Sequence, residues 1–208
     1  MEIIFGRKSR EGQRPLKAVS DMIKIPKLVE IYPDIPEASL QHFFEKLQDK
    51  KLKKGELLIR EGEICQHITY IQSGIVRSSY HRDNKDITIS FSVEGEFITA
   101  MSSFISQKPT YENIEALSET LVLQISYPDL MELMDQDKHL EHLYRLILEQ
   151  YYIALEELLI FSKFKTAKER YMDLLQYRPT VIKNAAVGHI ASFLDMSIET
   201  LSRIRSKM

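Results

Sequence analysis

The chain has 208 residues, 44% apolar and 28% charged, a balance that supports a packed core and excludes a disordered chain. Its one cysteine, Cys65, excludes a disulfide framework, a Cys-rich zinc site and a four-Cys iron–sulfur cluster, and fits a reducing cytoplasm. No run approaches the roughly 18 uninterrupted apolar residues of a membrane span, and no signal peptide is expected. The net charge of −2 is unevenly spread: residues 1–24 carry +3, residues 25–162 carry −10 and residues 163–208 carry +5. A basic end on an acidic body points to an anionic partner for that end.

Residues 1–24 are polar and basic and read as a loose arm, with a short strand at Ile3–Phe5. Leu40, Phe43, Phe44 and Leu47 recur at helical spacing and predict a helix over Pro36–Leu47, ending before the run Lys50–Lys54. From Leu57 to Ser126 the texture changes. Short runs rich in Ile, Val, Thr, Tyr and Phe predict strands over Glu56–Arg60, His67–Gln72, Ile75–His81, Ile87–Val93, Asn113–Ala116 and Leu121–Ser126. Gly55, Gly62, Gly74 and Gly95 stand at turns between them. The spacing predicts an antiparallel sandwich or roll of roughly eight short strands.

Pro128 opens a helical section, with one or two turns at Asp129–Met134 and a long helix from Asp137 to Phe161. In that helix Leu140, Tyr144, Ile147, Tyr151, Ala154, Leu158 and Phe161 alternate by four and three, a heptad seam. Leu143, Leu148, Tyr152, Leu155 and Leu159 make a second stripe beside it. Two wide apolar faces need two surfaces to cover them. One can pack on the β section while the other meets a second copy, and the seam is taken as the dimer interface. Residues 162–165 read as a hinge. Thr166 and Glu169 form a T-x-x-E capping box for a helix over Lys168–Tyr177, which Arg178-Pro179 breaks.

Val187–Leu194 and Ile198–Lys207 then read as two short helices joined by Asp195-Met196-Ser197. Ile190, Ala191 and Leu194 face inward, and the small Ala191 admits a close helix crossing. Ser197 caps the second helix. Leu201 and Ile204 point inward and leave Glu199, Thr200, Ser202, Arg203 and Lys207 outward. This is a helix-turn-helix layout, whose second helix reads the DNA major groove. An αα-hairpin inside any helical domain has the same pattern.

The string I-A-S-F-L-D-M-S-I-E-T-L-S-R-I-R, residues 190–205, resembles the helix-turn-helix of the Crp/Fnr superfamily of bacterial transcription regulators. The β section agrees: K-K-G-E-L-L-I-R-E-G-E (53–63), Y-I-Q-S-G-I-V-R (70–77) and V-E-G-E-F-I (93–98) resemble the family's cyclic-nucleotide-binding roll. The implied fold is α+β, with a loose arm (1–24), an antiparallel β-roll sensor with flanking helices (25–136), a dimerisation helix (137–162) and a helix-turn-helix domain (163–208). The implied function is a homodimeric, sequence-specific DNA-binding regulator in the cytoplasm, not an enzyme. Its implied partners are double-stranded DNA with an inverted-repeat operator, a second copy, and RNA polymerase. A sensor module that acts through a protein partner, without DNA binding, is the alternative. No strands are expected after the second helix of the motif.

Departures from the family pattern bear on mechanism. Aligned on Gly95-Glu96-Phe97-Ile98, Ala100 stands where the cyclic-AMP-binding members carry the ribose-binding Glu. Thr110 stands where they carry the phosphate-binding Arg. Alanine cannot accept a hydrogen bond, threonine cannot neutralise a phosphate, and Glu112 and Glu115 would repel an anion. Cyclic AMP is therefore not expected to bind. No cofactor or metal is expected, because Cys65 is alone and the histidines are scattered. Any effector would use the vacated pocket, lined by Glu96, Thr99, Ala100, Met101, Ser102 and Ser103 and by Thr110, Tyr111 and Asn113. The same space could instead be filled by Tyr111 and Met101. In the helix-turn-helix the family's turn Gly is Asp195, which tolerates the left-handed conformation, and its first base-reading Arg is Ile198. Ser197, Glu199, Thr200, Ser202, Arg203, Arg205 and Lys207 are the candidate DNA contacts, with Arg203 and Glu199 as base readers.

Overall fold

The computed structural model describes residues 35–207 with the exception of Asn84. The basic arm and its Ile3–Phe5 strand lie outside the described residues, as does the side chain of Phe161. Helix α1 (Glu37–Glu45) buries Leu40, Phe43 and Phe44 on one face. Eight strands follow: β1 (Gln48–Leu52), β2 (Leu57–Ile59), β3 (His67–Ser73), β4 (Ile75–Arg82), β5 (Lys85–Val93), β6 (Phe97–Ile98), β7 (Asn113–Ala116) and β8 (Thr120–Ser126). They form two four-stranded antiparallel sheets in the orders β1-β8-β3-β6 and β2-β7-β4-β5. The α+β class and the open, two-sheet roll agree with the sequence expectation.

The roll's core is made by inward residues of both sheets, among them Leu52, Ile71, Val76, Ile114, Val122 and Ile125, all at most 1% exposed. Gly74 makes the β3–β4 turn with φ +102°, and a Cβ there would lie 2.4 Å from the Thr120 hydroxyl and 2.8 Å from the Glu119 carbonyl. Any side chain at Gly74 would force the β8 strand away.

Several elements differ from the expectation, β1 and a short helix after β6 among them. Strand β1 occupies the segment just after the expected helix end at Leu47, where no strand was expected. It pairs with β8 from Gln48↔Gln124 to Leu52↔Thr120. Four of its five residues are exposed, so it carries no apolar alternation, and its partner is distant in sequence. Helix α2 (Met101–Ser106) sits inside the candidate effector segment and ends on Gln107 in the left-handed region, φ 53°.

Helix α3 (Tyr127–Gln136) is capped by Ser126, which accepts from the Asp129 amide. Helix α4 (Lys138–Phe164) runs 27 residues from an Asp137 cap. Helix α5 (Ala167–Tyr177) starts with the complete capping box of Thr166 and Glu169. Arg178-Pro179 does end α5, but Pro179 also starts a further short helix, α6 (Pro179–Asn184), since a first-turn proline has no intrahelical donor to lose. Helices α7 (Val187–Phe193) and α8 (Ile198–Ser206) follow.

The apolar residues separate into two clusters. One joins the roll interior to α1, α3 and the first half of α4 through Leu140, Leu143 and Ile147. The other holds Tyr171, Leu174, Val181, Ile190, Ala191, Leu194 and Leu201 from the C-terminal helices, together with Ile75, Phe91 and Leu117 from the roll. The C-terminal helices therefore share their core with the outer face of the β4–β5 hairpin.

Candidate nucleic-acid interface and the roll cassette

The turn between α7 and α8 is built from the backbone. Asp195 adopts φ 49°. The Met196 amide donates to the Ala191 carbonyl at 3.0 Å and the Asp195 amide to the Ser192 carbonyl at 3.1 Å, the two bonds of a Schellman termination. Arg170 of α5 holds this turn from below. Its Nε donates to the Leu194 carbonyl at 2.9 Å and its Nη2 to the Asp195 carbonyl at 3.2 Å. The sequence reading missed Arg170, because its target is a backbone carbonyl 24 residues away.

Ser197 accepts from the Thr200 amide at 3.2 Å, so its hydroxyl caps α8. It also holds the Glu199 carboxyl below the ordinary carboxylate range. Leu201 is fully buried and Ile204 half-buried. Glu199, Ser202, Arg203, Arg205 and Lys207 are exposed, and Thr200 is half-buried. Two inward residues thus set the rotation of α8 and present its charged face to solvent.

Helix α7 docks on the roll. The Thr88 amide donates to the Ser192 hydroxyl at 2.9 Å, and that hydroxyl donates to the Asp86 carbonyl at 3.3 Å. Phe193 meets Phe91 edge-on at 5.3 Å between ring centres. Arg178 donates to the Phe91 carbonyl and to both oxygens of Glu96. His189 lies in this seam with a buried, unpartnered Nδ1 and its Nε2 3.9 Å from Asp86. Burial, and then the Arg77 guanidinium, push the His189 pKa down.

The candidate effector residues are not brought together around one cavity. Thr99, Ala100, Met101, Ser103 and Thr110 are buried. The Thr99 hydroxyl donates to the His67 carbonyl at 3.0 Å. Ser103 donates to the Lys108 carbonyl and accepts from the Cys65 amide. Thr110 accepts from the Glu112 amide at 3.0 Å. These groups are spent on folding the segment between β6 and β7. Ser102 is exposed, and Tyr111 is 75% exposed, so Tyr111 does not fill the roll. Glu96 is held by Arg178, while Asn113 accepts from the Glu61 amide at 3.0 Å on the outer face.

The two nearby acids separate in the same way. Glu115 faces outward and accepts from Arg77 Nε at 3.0 Å. Glu112 faces inward and accepts from the Ser78 hydroxyl at 2.5 Å. Burial pushes the Glu112 carboxyl up, against that hydrogen bond. Burial also pushes up Tyr80 of β4 and Tyr151 of α4, with Glu112 adding to both. A carboxylate and two phenols thus occupy the region where α4 passes the roll.

Along α4 the heptad seam splits. Leu140 is 1% and Ile147 8% exposed, both inside the chain's own core. They cannot meet a partner without leaving it. Tyr144, Tyr151 and Leu158 are half-buried and Ala154 is exposed. The large exposed apolar side chains of the second half are Tyr152, Leu155, Leu159, Ile160 and Phe164.

The two-sheet roll, the long helix and the C-terminal helices form an arrangement that known proteins share. The family model of the cyclic nucleotide-binding domain matches residues 49–137. Among solved structures the chain is similar to FixK2 from Bradyrhizobium japonicum, at 19% identity and TM-score 0.67, over 77% of this chain and 83% of that one. It is similar to a double mutant of CooA from Carboxydothermus hydrogenoformans, at 16% identity and TM-score 0.63, over 86% and 83%. It is also similar to the catabolite activator protein of Thermus thermophilus, at 19% identity and TM-score 0.52, over 85% of each chain. No curated protein sequence matches the chain. Among the described residues no group of three or more His, Cys, Asp and Glu is placed to hold a metal ion, and no helix is long and apolar enough to cross a membrane.

Proposed function

We propose that the chain is a sequence-specific DNA-binding transcription regulator of the Crp/Fnr type, acting as a homodimer in the cytoplasm and without cyclic AMP. The observation that carries this reading is the orientation of α8. Buried Leu201 and the Asp195 turn fix it so that Glu199, Ser202, Arg203, Arg205 and Lys207 share the solvent face. Arg203 is the main base reader, bidentate to a guanine, and Glu199 accepts from a cytosine amino group. Ser202, Arg205 and Lys207 hold phosphates. Ser197 acts on the DNA indirectly, as the cap of α8.

The exposed side of α4 supports the homodimer, through Tyr152, Leu155 and Leu159 rather than through Leu140 and Ile147. A two-fold axis there sets two α8 helices in successive major grooves about 34 Å apart, so the operator is an inverted repeat. RNA polymerase is the protein such a regulator addresses. Buried Ala100, self-bonded Thr110 and inward Glu112 leave no group to neutralise a cyclic phosphate. Selection of bound sequences from random DNA tests the reading: an inverted repeat is expected, and recovery of no preferred sequence would overturn it.

A further inference from the structure

We propose that a cavity on the outer face of the β2-β7-β4-β5 sheet binds a small neutral polyhydroxylated molecule, a sugar or polyol, and that Arg77 passes its occupancy to the helix-turn-helix. The second half of this proposal rests on the function proposed above. The cavity has a volume of about 470 Å³, and of the effector residues expected from the sequence it contains only Asn113. That size lies within the range of about 300–1,000 Å³ usual for small-molecule sites.

The strand alternation builds the site. Arg77 and Ser79 of β4 and Asn113 and Glu115 of β7 all point outward, and Arg60, Glu61 and His81 form the rim. Charges come in opposite pairs: Arg60 and Glu61 at the rim, Arg77 and Glu115 at the floor. The floor pair is bonded at 3.0 Å, and Asp86 accepts from Arg77 Nη1 at 2.8 Å. An anion would meet Glu61 and Glu115 before a guanidinium that is already paired. A cation would meet Arg60. A hydroxyl both donates and accepts, and it suits this interleaved set of carboxylate, amide and imidazole.

Ser79 supplies the independent observation. It is 1% exposed, lines the cavity, and its hydroxyl has no hydrogen-bond partner in the protein. Buried hydroxyls are nearly always bonded, and a ligand hydroxyl would complete this one.

Arg77 links the cavity to the docked helices. The same guanidinium that bonds Glu115 on the cavity floor bonds Asp86 and Thr88. Those two residues are the ones that hold Ser192 of α7. A ligand that draws Glu115 toward itself shifts the load on Arg77 and so on the α7 seam.

The test uses the full chain without DNA. D-ribose, D-glucose and myo-inositol are titrated by calorimetry and ligand-observed NMR, with citrate and spermidine as charged controls. At least one polyol should bind saturably, tenfold or more tighter than either control. His81→Trp, which fills the rim at an exposed position, and Ser79→Val should each weaken binding at least tenfold. Lys51→Ala, on the other sheet, should not. Saturation should also change hydrogen exchange at the Thr88 amide. If none of the three binds, or if binding survives His81→Trp, the site is overturned; an unchanged Thr88 amide overturns the link through Arg77. Neither result touches the DNA-binding reading, which the selection experiment tests by itself.

Discussion

Arg178 Nη2 lies 2.6 Å from each carboxylate oxygen of Glu96. Glu96 sits in the turn that leads from β5 into the roll's cassette, and Arg178 joins α5 to α6. The ion pair therefore ties the C-terminal helices to the turn between β5 and β6. Arg178 also donates to the Phe91 carbonyl at 3.0 Å, within the apolar seam of Phe91 and Phe193.

Glu96→Gln should lower the unfolding free energy by about 1–2 kcal/mol, a charge-assisted bond discounted for its partial exposure. Arg178→Ala should cost more, because the Phe91 carbonyl also loses its donor. A double-mutant cycle in urea checks the coupling. A coupling near zero would mean that the seam is held by Phe91, Phe193 and Ser192 alone.

Arg203→Ala should weaken operator binding by about 1–3 kcal/mol and relax the preference at one position of each half-site. Lys207→Ala should weaken all sequences alike and reduce the salt slope by about one unit. Fluorescence anisotropy across a salt series separates the two effects. An Arg203→Ala protein that selects the same half-site, only less tightly, would show that Arg203 positions α8 without reading.

Leu155→Glu with Leu159→Glu should yield folded monomers in sedimentation, since both side chains are about half exposed in the single chain. Ile147→Glu should instead unfold the roll, because it buries a charge in the roll's own core. Unchanged dimers in the first variant would remove the exposed side of α4 as the interface.

Glu112→Gln should raise the melting temperature at neutral pH. Burial raises the Glu112 carboxyl in the folded chain, so stability is lost as pH climbs from the ordinary value of about 4.3 through the raised one. The gain should close below about pH 4, where both states hold the proton. Glutamine still offers an oxygen to the Ser78 hydroxyl.

His189 carries the opposite sign. Its lowered folded value makes the folded chain bind protons less readily than the unfolded one. Stability that is present above the ordinary value of about 6.5 is lost as pH falls through it. Melts from pH 7.5 downward should show this loss, with a smaller slope in His189→Gln. An identical slope in the two proteins would mean that the seam does not sense His189.

Much of the fold was legible locally. The Thr166–Glu169 box, the Ser197 cap and the left-handed Asp195 are set by residues within a few positions of one another, and the strands of the roll announce themselves by alternation and turn glycines. Strand β1 did not, because an edge strand of lysine, aspartate and glutamine is specified by its partner β8 and not by its own pattern. Glu115 points away from the roll interior for a related reason. One residue of register decides which face of β7 a side chain takes, and the β4 and β2 partners set that register.

The sequence by itself determined the two-sheet roll, the long helix and the charged face of α8, since each rests on short-range periodicity, capping or turn chemistry. Tertiary structure alone decided which half of α4's apolar surface is spent inside the chain. It also decided that Ile75, Phe91 and Leu117 complete the core of the C-terminal helices, and that Arg77 stands between an outer cavity and the α7 seam. Those facts depend on which apolar face meets which, and on pairings between residues up to about a hundred positions apart. Apolar burial has no direction of its own, so a stripe of leucines says that it will be covered but not by what.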